Sequence, residues 1–468
     1  MKFSRKNYST NTLTLQNMLS IPVNSPKPFH KPCLKLQAVN PLSPKSSLPS
    51  LPKPSHSTDF LSPKHTSKAI AIKSPVSPKN SLQHLSPYSS KHNSSILKTN
   101  LNEFEKEEIK DFKKVYFLSN LKQKLNPNAS NRNNGFDFEN GNYKLICGDH
   151  LAYRYEIRNI IGKGSFGVVC ECFDHKTKEP VAIKILKNKS YFFQQGTVEV
   201  SILKSIKDND PVDQNNLIKL KLYFIFRNHI CLVFPLLGRS LYDYISSSKV
   251  EGLSIKQVKE FTKQVLAGLI SLNAMSIIHC DLKPENLLFT VNSLKTLKII
   301  DFGSSCFFHD KVHSYIQSRF YRAPEIVFGI PYCSSIDIWS LGCLICEMVT
   351  GEVLFPAETE ENLVALMVEL IGMPPSCILE KAVKNLQILD LDRIMLSDGK
   401  EIKARSKKIV TSDSLMLDLI FKCLEWDPEK RIKAQDAILH PWLTTRKKKK
   451  SISHGKFLQR GSTKHKAQ

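Results

Sequence analysis

His279-Cys280-Asp281-Leu282-Lys283-Pro284-Glu285-Asn286 is the stretch that decides how this chain is read. It matches the pattern His-x-Asp-Leu-x-x-x-Asn, in which each polar residue has a separate task in phosphoryl transfer. Asp281 would accept or orient the proton of an attacking hydroxyl. Lys283 would neutralise charge on the transferring group, and Asn286 would hold a divalent cation. Cys280 stands where the pattern commonly has arginine. That arginine normally pairs with a phosphorylated activation loop, so the pairing is lost in its usual form.

Downstream, the apolar run 297–300 leads into Asp301-Phe302-Gly303. A carboxylate at that point suits Mg²⁺, a hard cation that prefers carboxylate and phosphate oxygens. Upstream, Gly162-Lys163-Gly164-Ser165-Phe166-Gly167-Val168-Val169 fits G-x-G-x-x-G-x-V. Glycines let backbone turn tightly and approach phosphate oxygens. These glycines lie between two strand-like runs and do not open a helix, which favours a phosphate-covering hairpin over a dinucleotide site. Val181-Ala182-Ile183-Lys184 follows. Lys184 would pair the α- and β-phosphates of ATP and be held by Glu199 from the next helix. Ala323-Pro324-Glu325 closes the segment after Gly303. Glu325 is expected to pair with Arg431, and Asp337 to anchor the loop at Asp281 from inside a helix.

The nucleotide-binding set is completed by Ile161, Ala182, Leu288 and a hinge.

Period-2 runs at 155–161, 168–173, 181–186, 217–226 and 230–234, with a helix over 194–206 between them, describe a small antiparallel sheet. Beyond Ser240 the pattern turns mainly helical as far as Trp442. The expected class is α+β, a bilobal protein kinase fold spanning 155–443 with the cleft between its lobes. Residues 101–154 begin with a helix start at Asn102, contain a polar loop over 126–142 and an alternating stretch at 143–146, and are too few to hold their own core.

The net charge of +24 is concentrated at the ends of the chain: +13 in residues 1–100 and +9 in 446–468. The middle is nearly neutral, so nothing in it suggests a nucleic-acid groove. Residues 1–100 are rich in Ser, Pro, Lys and Asn without apolar periodicity, the composition of a disordered tail. Six Ser-Pro pairs recur there, at Ser25, Ser43, Ser62, Ser74, Ser77 and Ser86, as flexible punctuation or as sites for proline-directed kinases. The twelve cysteines are scattered among apolar residues. Cys343-x-x-Cys346 has metal-like spacing but no second pair nearby, and reads as core in a reducing compartment. No long apolar run or secretory leader is seen, which points to the cytoplasm, the nucleus or both.

At this point a family resemblance emerges. His279-Cys280-Asp281, Asp301-Phe302-Gly303-Ser304-Ser305-Cys306 and Ser314-Tyr315-Ile316-Gln317-Ser318-Arg319-Phe320-Tyr321-Arg322 resemble the dual-specificity tyrosine-regulated kinases, the DYRK family. Phe226-Arg227-Asn228-His229 is similar too. Residues 149–155 look like the family's DH box, and 101–118 and 136–146 look like the accessory region of its class II members. The resemblance covers about 101–443.

It implies serine/threonine transfer to protein substrates, together with autophosphorylation of an activation-loop tyrosine. Tyr315 matches that tyrosine, and a phosphate there can be gripped by Arg319 and Arg322. The resemblance also implies a preference for Arg three residues before a Ser/Thr-Pro site. Asp243, Glu285 and Glu352 match the positions that receive the arginine. The family's paired tyrosines read His313-Ser314-Tyr315 here, so one is lost. In the kinase family that the chain resembles, Phe234 would be the gatekeeper and Pro235 would stand in place of an acidic hinge residue. Proline lacks an N–H but keeps its carbonyl, so adenine can use the Pro235 carbonyl and the Leu237 amide.

The alternative is a kinase-fold scaffold acting through its basic tails. The run Arg446-Lys447-Lys448-Lys449-Lys450 suits an import receptor or another anionic partner.

Overall fold

The computed structural model describes residues 101–121, 124–125, 127, 131–247, 252–311, 315–382 and 413–445. The six Ser-Pro pairs, His313, Ser314 and the basic run 446–450 lie outside the described residues.

An antiparallel sheet comes first. Its strands are β1 (His150–Leu151), β2 (Tyr155–Lys163), β3 (Gly167–Asp174), β4 (Glu179–Leu186), β5 (Leu222–Phe226) and β6 (His229–Pro235), in the order β1-β2-β3-β4-β6-β5. Alternation on β3 turns Val168, Cys170, Cys172 and Asp174 inward, as a pleated strand requires. A short helix, α1 (Glu103–Glu108), precedes the sheet, and α2 (Ser190–Asn209) links β4 to β5. The helix expected at 194–206 therefore starts a turn earlier. The strand expected over 217–226 begins only at Leu222. Residues before it leave the sheet: the Ile218 amide donates to the Ile299 carbonyl at 3.0 Å, tying this stretch to the helical lobe.

The second lobe contains α3 (Leu241–Ser246), α4 (Ile255–Ala274), α5 (Pro324–Phe328), α6 (Ser335–Thr350), α7 (Glu360–Ile371), α8 (Ser376–Lys381), α9 (Ser414–Cys423), α10 (Ala434–Ala437) and α11 (Pro441–Thr444). Capping boxes start α3 at Ser240/Asp243 and α4 at Ser254/Gln257, satisfying amides that a helix N-terminus leaves open. Helix α6 is mostly apolar and buried along nearly its whole length, with Asp337 and Glu347 among its buried residues. It carries Cys343 and Cys346 into the core, and every cysteine among the described residues is free. Two small ladders, β7 (Ile277–Ile278) with β10 (Cys306–Phe307) and β8 (Leu287–Thr290) with β9 (Ser293–Ile299), frame the loop at Asp281. The architecture is α+β and bilobal, as the sequence predicts. Among the described residues no helix is long and apolar enough to cross a membrane.

The described residues of 101–154 share one core with the sheet. Phe136, Tyr143, Leu151 and Tyr153 pack with Ile157, Cys170, Ile183 and Phe226. The stretch 143–146 does not become a strand; its backbone pairing is local, with the Lys144 amide on the Phe136 carbonyl at 2.8 Å. Arg227 holds this segment down. It and Asn228 form the β5–β6 hairpin turn with φ of +46° and +64°, a conformation costly for arginine. Its buried guanidinium donates to Glu108 of α1 (Nε–Oε1 3.0 Å, Nη2–Oε2 2.9 Å) and to the Tyr143 hydroxyl at 2.9 Å, and sits 3.9 Å from the Phe136 ring centroid. His229 adds a 2.8 Å contact to Asp137.

Candidate active site

The loop 279–286 is pinned from beneath. Buried Asp337 on α6 accepts from the His279 amide at 2.8 Å and the Cys280 amide at 3.0 Å, and burial raises its carboxyl pKa. Cys280 has a left-handed φ of +65° and is fully buried, with its Sγ 3.9 Å from that of Cys306. Glu325 and Arg431 meet in a bidentate pair at 2.7 and 2.9 Å, both buried, clamping the end of the activation segment.

Around Asp281 the structure gathers three polar side chains. Lys283 Nζ donates to Asp281 Oδ2 at 2.7 Å, and Asn286 Nδ2 donates to the Asp281 carbonyl at 2.8 Å. Ser318 Oγ donates to Asp281 Oδ1 at 2.7 Å, and Lys283 also reaches Ser318 Oγ at 2.8 Å. Ser318 was not among the predicted site residues. No spacing rule links a serine to an aspartate 37 positions earlier, so the sequence carries no local signal for it.

Lys184 on β4 bridges Glu199 of α2 and Asp301, at 2.7 Å to each. Burial works against its charge, but the two carboxylates hold its pKa above the ordinary lysine value. Burial also pushes Asp301 up, yet the Lys184 charge and hydrogen bond, with help from Lys283, bring it down to about 2. Glu199 is raised by burial in spite of Lys184. Asp301 is thus the carboxylate held ionised, and it has a left-handed φ of +63°.

The glycine-rich hairpin joins β2 to β3. The Gly164 amide donates to the Gly167 carbonyl at 2.9 Å, and Phe166 folds inward to place its ring 5.7 Å from Lys184 Nζ. A Cβ on Gly167 would lie 2.0 Å from the Ile185 carbonyl oxygen, so only glycine fits there, whereas nothing lies within 4 Å of one on Gly164. Gly162 pairs with Val169 and Lys163 with Val168; Ser165 lies at the tip, and Ile161 is half exposed. Phe234 is buried on β6 opposite Ala182, and Pro235 lies opposite Val181 at the strand end. Leu237 follows, and Leu288 lies opposite Lys298 on the β8–β9 ladder. The Asp301 carboxylate and the Asn286 amide oxygen are hard oxygen donors. With the buried lysine they form a donor set that fits a small divalent cation and the phosphates of a nucleotide.

Tyr315 is 48% exposed, and the Arg322 guanidinium packs 4.0 Å from its ring centroid. Arg322 is itself buried, donating to the Ile316 carbonyl at 3.0 Å, the Gln317 carbonyl at 2.8 Å and Glu360 at 3.2 Å. Arg319 donates to the Glu358 carbonyl, while its buried Nε makes no hydrogen bond among the described residues. Asp243 lies in the capping box of α3, Glu285 in the 3₁₀ turn Pro284–Asn286, and Glu352 in the turn after α6. The three come from separate elements of the helical lobe.

Comparison with known proteins shows the family. Residues 155–443 match the protein kinase domain family. The chain is 43% identical to serine/threonine-protein kinase ppk5 of Schizosaccharomyces pombe, over 73% of this chain and 42% of that protein. It is 39% identical to dual specificity tyrosine-phosphorylation-regulated kinase 3 of Mus musculus, over 74% of this chain and 64% of that protein. To dual specificity tyrosine-phosphorylation-regulated kinase 4 of Homo sapiens it is 40% identical, over 74% of this chain and 69% of that protein. It thus spans less than two thirds of the first two relatives. With kinase-domain residues matched across most of the chain and such relatives at this identity, the chain belongs to the dual-specificity tyrosine-phosphorylation-regulated kinases of the protein kinase family.

Proposed function

We propose that this chain transfers the γ-phosphoryl group of ATP to serine and threonine hydroxyls of proteins, and that it phosphorylates its own Tyr315 during maturation. The observation that carries this reading is the approach of Lys283, Asn286 and Ser318 to Asp281, beside the Glu199–Lys184–Asp301 bridge. A protein kinase domain uses ATP and a divalent metal; here the metal is Mg²⁺. Asn286 and Asp301 hold it, and the cation neutralises phosphate charge when bound. Lys184 positions phosphates and Asp281 orients the incoming hydroxyl, whose proton it accepts. Lys283 contributes positive charge where the transferred group leaves and arrives.

Pro235 and Leu237 form the hinge contact for adenine. Substrates carry Arg three residues before a Ser/Thr-Pro site, and Asp243, Glu285 and Glu352 receive that arginine. None of the six N-terminal Ser-Pro sites has Lys or Arg at that place, so another proline-directed kinase modifies them. The working unit is 101–443, because the accessory residues complete the sheet core. The protein acts in the cytoplasm, the nucleus or both, with the basic run 446–450 serving import.

A peptide-library assay with phosphosite mapping tests this. The expected result is Ser/Thr-Pro products enriched for Arg at the third position upstream, with phosphate on Tyr315. Efficient labelling of Ser25, Ser43 or the other N-terminal sites in the purified enzyme contradicts the stated specificity.

A further inference from the structure

Gln195 lies four residues before Glu199 on α2, so the two side chains occupy one helix face. Its Nε2 donates to the Gly303 carbonyl at 2.5 Å. The opposite amide orientation would set oxygen against oxygen, so hydrogen bonding fixes the assignment. Its Oε1 is buried and has no hydrogen-bond partner among the described residues. An unsatisfied buried oxygen disfavours folding, and its presence calls for a reason outside stability.

The bond closes a ring. Gly303 N donates to Asp301 Oδ1 at 3.3 Å, Lys184 donates to that same oxygen at 2.7 Å, and Lys184 donates to Glu199 at 2.7 Å. The helix returns from Glu199 to Gln195. Two of the three Lys184 N–H donors go to Glu199 and Asp301; when phosphates compete for the ammonium and a cation takes the Asp301 carboxylate, the Lys184–Asp301 contact is the one that can be given up. When it turns to phosphate, the link from α2 to the Asp301–Gly303 turn through Lys184 is broken. The link through Gln195 uses no group that nucleotide or cation requires, so it persists.

We propose that Gln195 is a positioning residue that holds the Asp301–Gly303 turn against α2 while Lys184 exchanges Asp301 for phosphate; this rests on the kinase reading above. It needs a donor at position 195. A charged carboxylate there would face the Gly303 carbonyl and destabilise the turn, whereas a donor of another shape preserves it.

The test compares wild type, Gln195→Met, Gln195→Glu and Gln195→His in the full chain. Measured quantities are kcat, KM for peptide, the Mg²⁺ concentration for half-maximal rate, Tm, and hydrogen exchange at the Ser305 amide, which bonds the Phe302 carbonyl at 3.1 Å and so reports opening of the turn. Expected for Gln195→Met is roughly a tenfold loss in kcat and a several-fold higher Mg²⁺ requirement, with peptide KM within about twofold. Its Tm stays within about 2 °C, because the buried oxygen is removed with the bond. Ser305 exchange accelerates about tenfold without ligand. Gln195→Glu loses more, and Gln195→His recovers most of the rate. Inactive wild-type enzyme rejects the kinase reading. Active wild type with Gln195→Met unchanged in kcat and in Ser305 exchange overturns the role of Gln195 alone.

Discussion

Arg227→Met tests whether residues 101–154 are bound to the sheet by charge. The guanidinium is almost wholly buried and meets Glu108 at 2.9 Å, while the Glu108 side chain is 14% exposed. Breaking a buried ion pair by removing one partner costs about 3–5 kcal/mol. Glu108 retains the Tyr153 hydroxyl at 2.8 Å, and nearby Glu105 retains Lys124 at 3.0 Å, which places the loss near the lower limit. The contact to the Phe136 ring adds about 1–2 kcal/mol when desolvated. Methionine keeps the aliphatic packing and adds no further loss, so the net expectation is about 4–5 kcal/mol. For a domain of this size that corresponds to a fall in Tm of roughly 5–10 °C. Scanning calorimetry gives the shift. Hydrogen exchange should show faster exchange at Tyr116 and Phe117, whose amides donate to the Tyr153 carbonyl at 2.9 and 3.0 Å. A cycle with Glu108→Gln should show coupling of at least about 1 kcal/mol. A Tm shift below about 1 °C, or strictly additive variants, refutes the argument that Arg227 fastens this segment.

Other perturbations address the catalytic lobe interface and its supports. Gly167→Ala places a Cβ against the Ile185 carbonyl, and should weaken ATP binding at least about tenfold by calorimetric titration. Glu325→Gln leaves Arg431 buried without its charge partner, and should lower unfolding free energy by about 3–5 kcal/mol in urea. Asp301 has a depressed carboxyl pKa, so its ion pair contributes stability that is present above the unfolded value near 4 and lost as pH falls toward about 2. The stability difference between wild type and Asp301→Asn should therefore shrink between pH 5 and pH 3 in denaturant titrations. Tyr315→Phe should lower activity of freshly made enzyme several-fold without altering Tm, as read by initial rates and calorimetry.

The residues Lys184, Glu199, Asp281, Asn286 and Asp301 were legible because each belongs to a local pattern with its own chemistry. The chain then brings those patterns together, as at Lys184 between Glu199 and Asp301. Ser318 and Gln195 were not legible, since their significance lies in contacts with Asp281 and Gly303 across long stretches of chain. Arg227 sits in a motif read only through resemblance; its physical task becomes visible once α1, Phe136 and Tyr143 surround it. The segment 217–221 has strand-like composition, but the backbone bond of Ile218 to β9 outweighs that preference.

The central claim is that Asp281 orients the accepting hydroxyl. Asp281→Asn preserves size and hydrogen-bond reach while removing the negative charge. Quantitative mass spectrometry of a Ser-Pro peptide incubated with ATP and Mg²⁺ should show phosphate transfer by wild type and a loss of at least about 100-fold in the variant, with nucleotide affinity within about threefold. Transfer by Asp281→Asn at the wild-type rate would contradict the account.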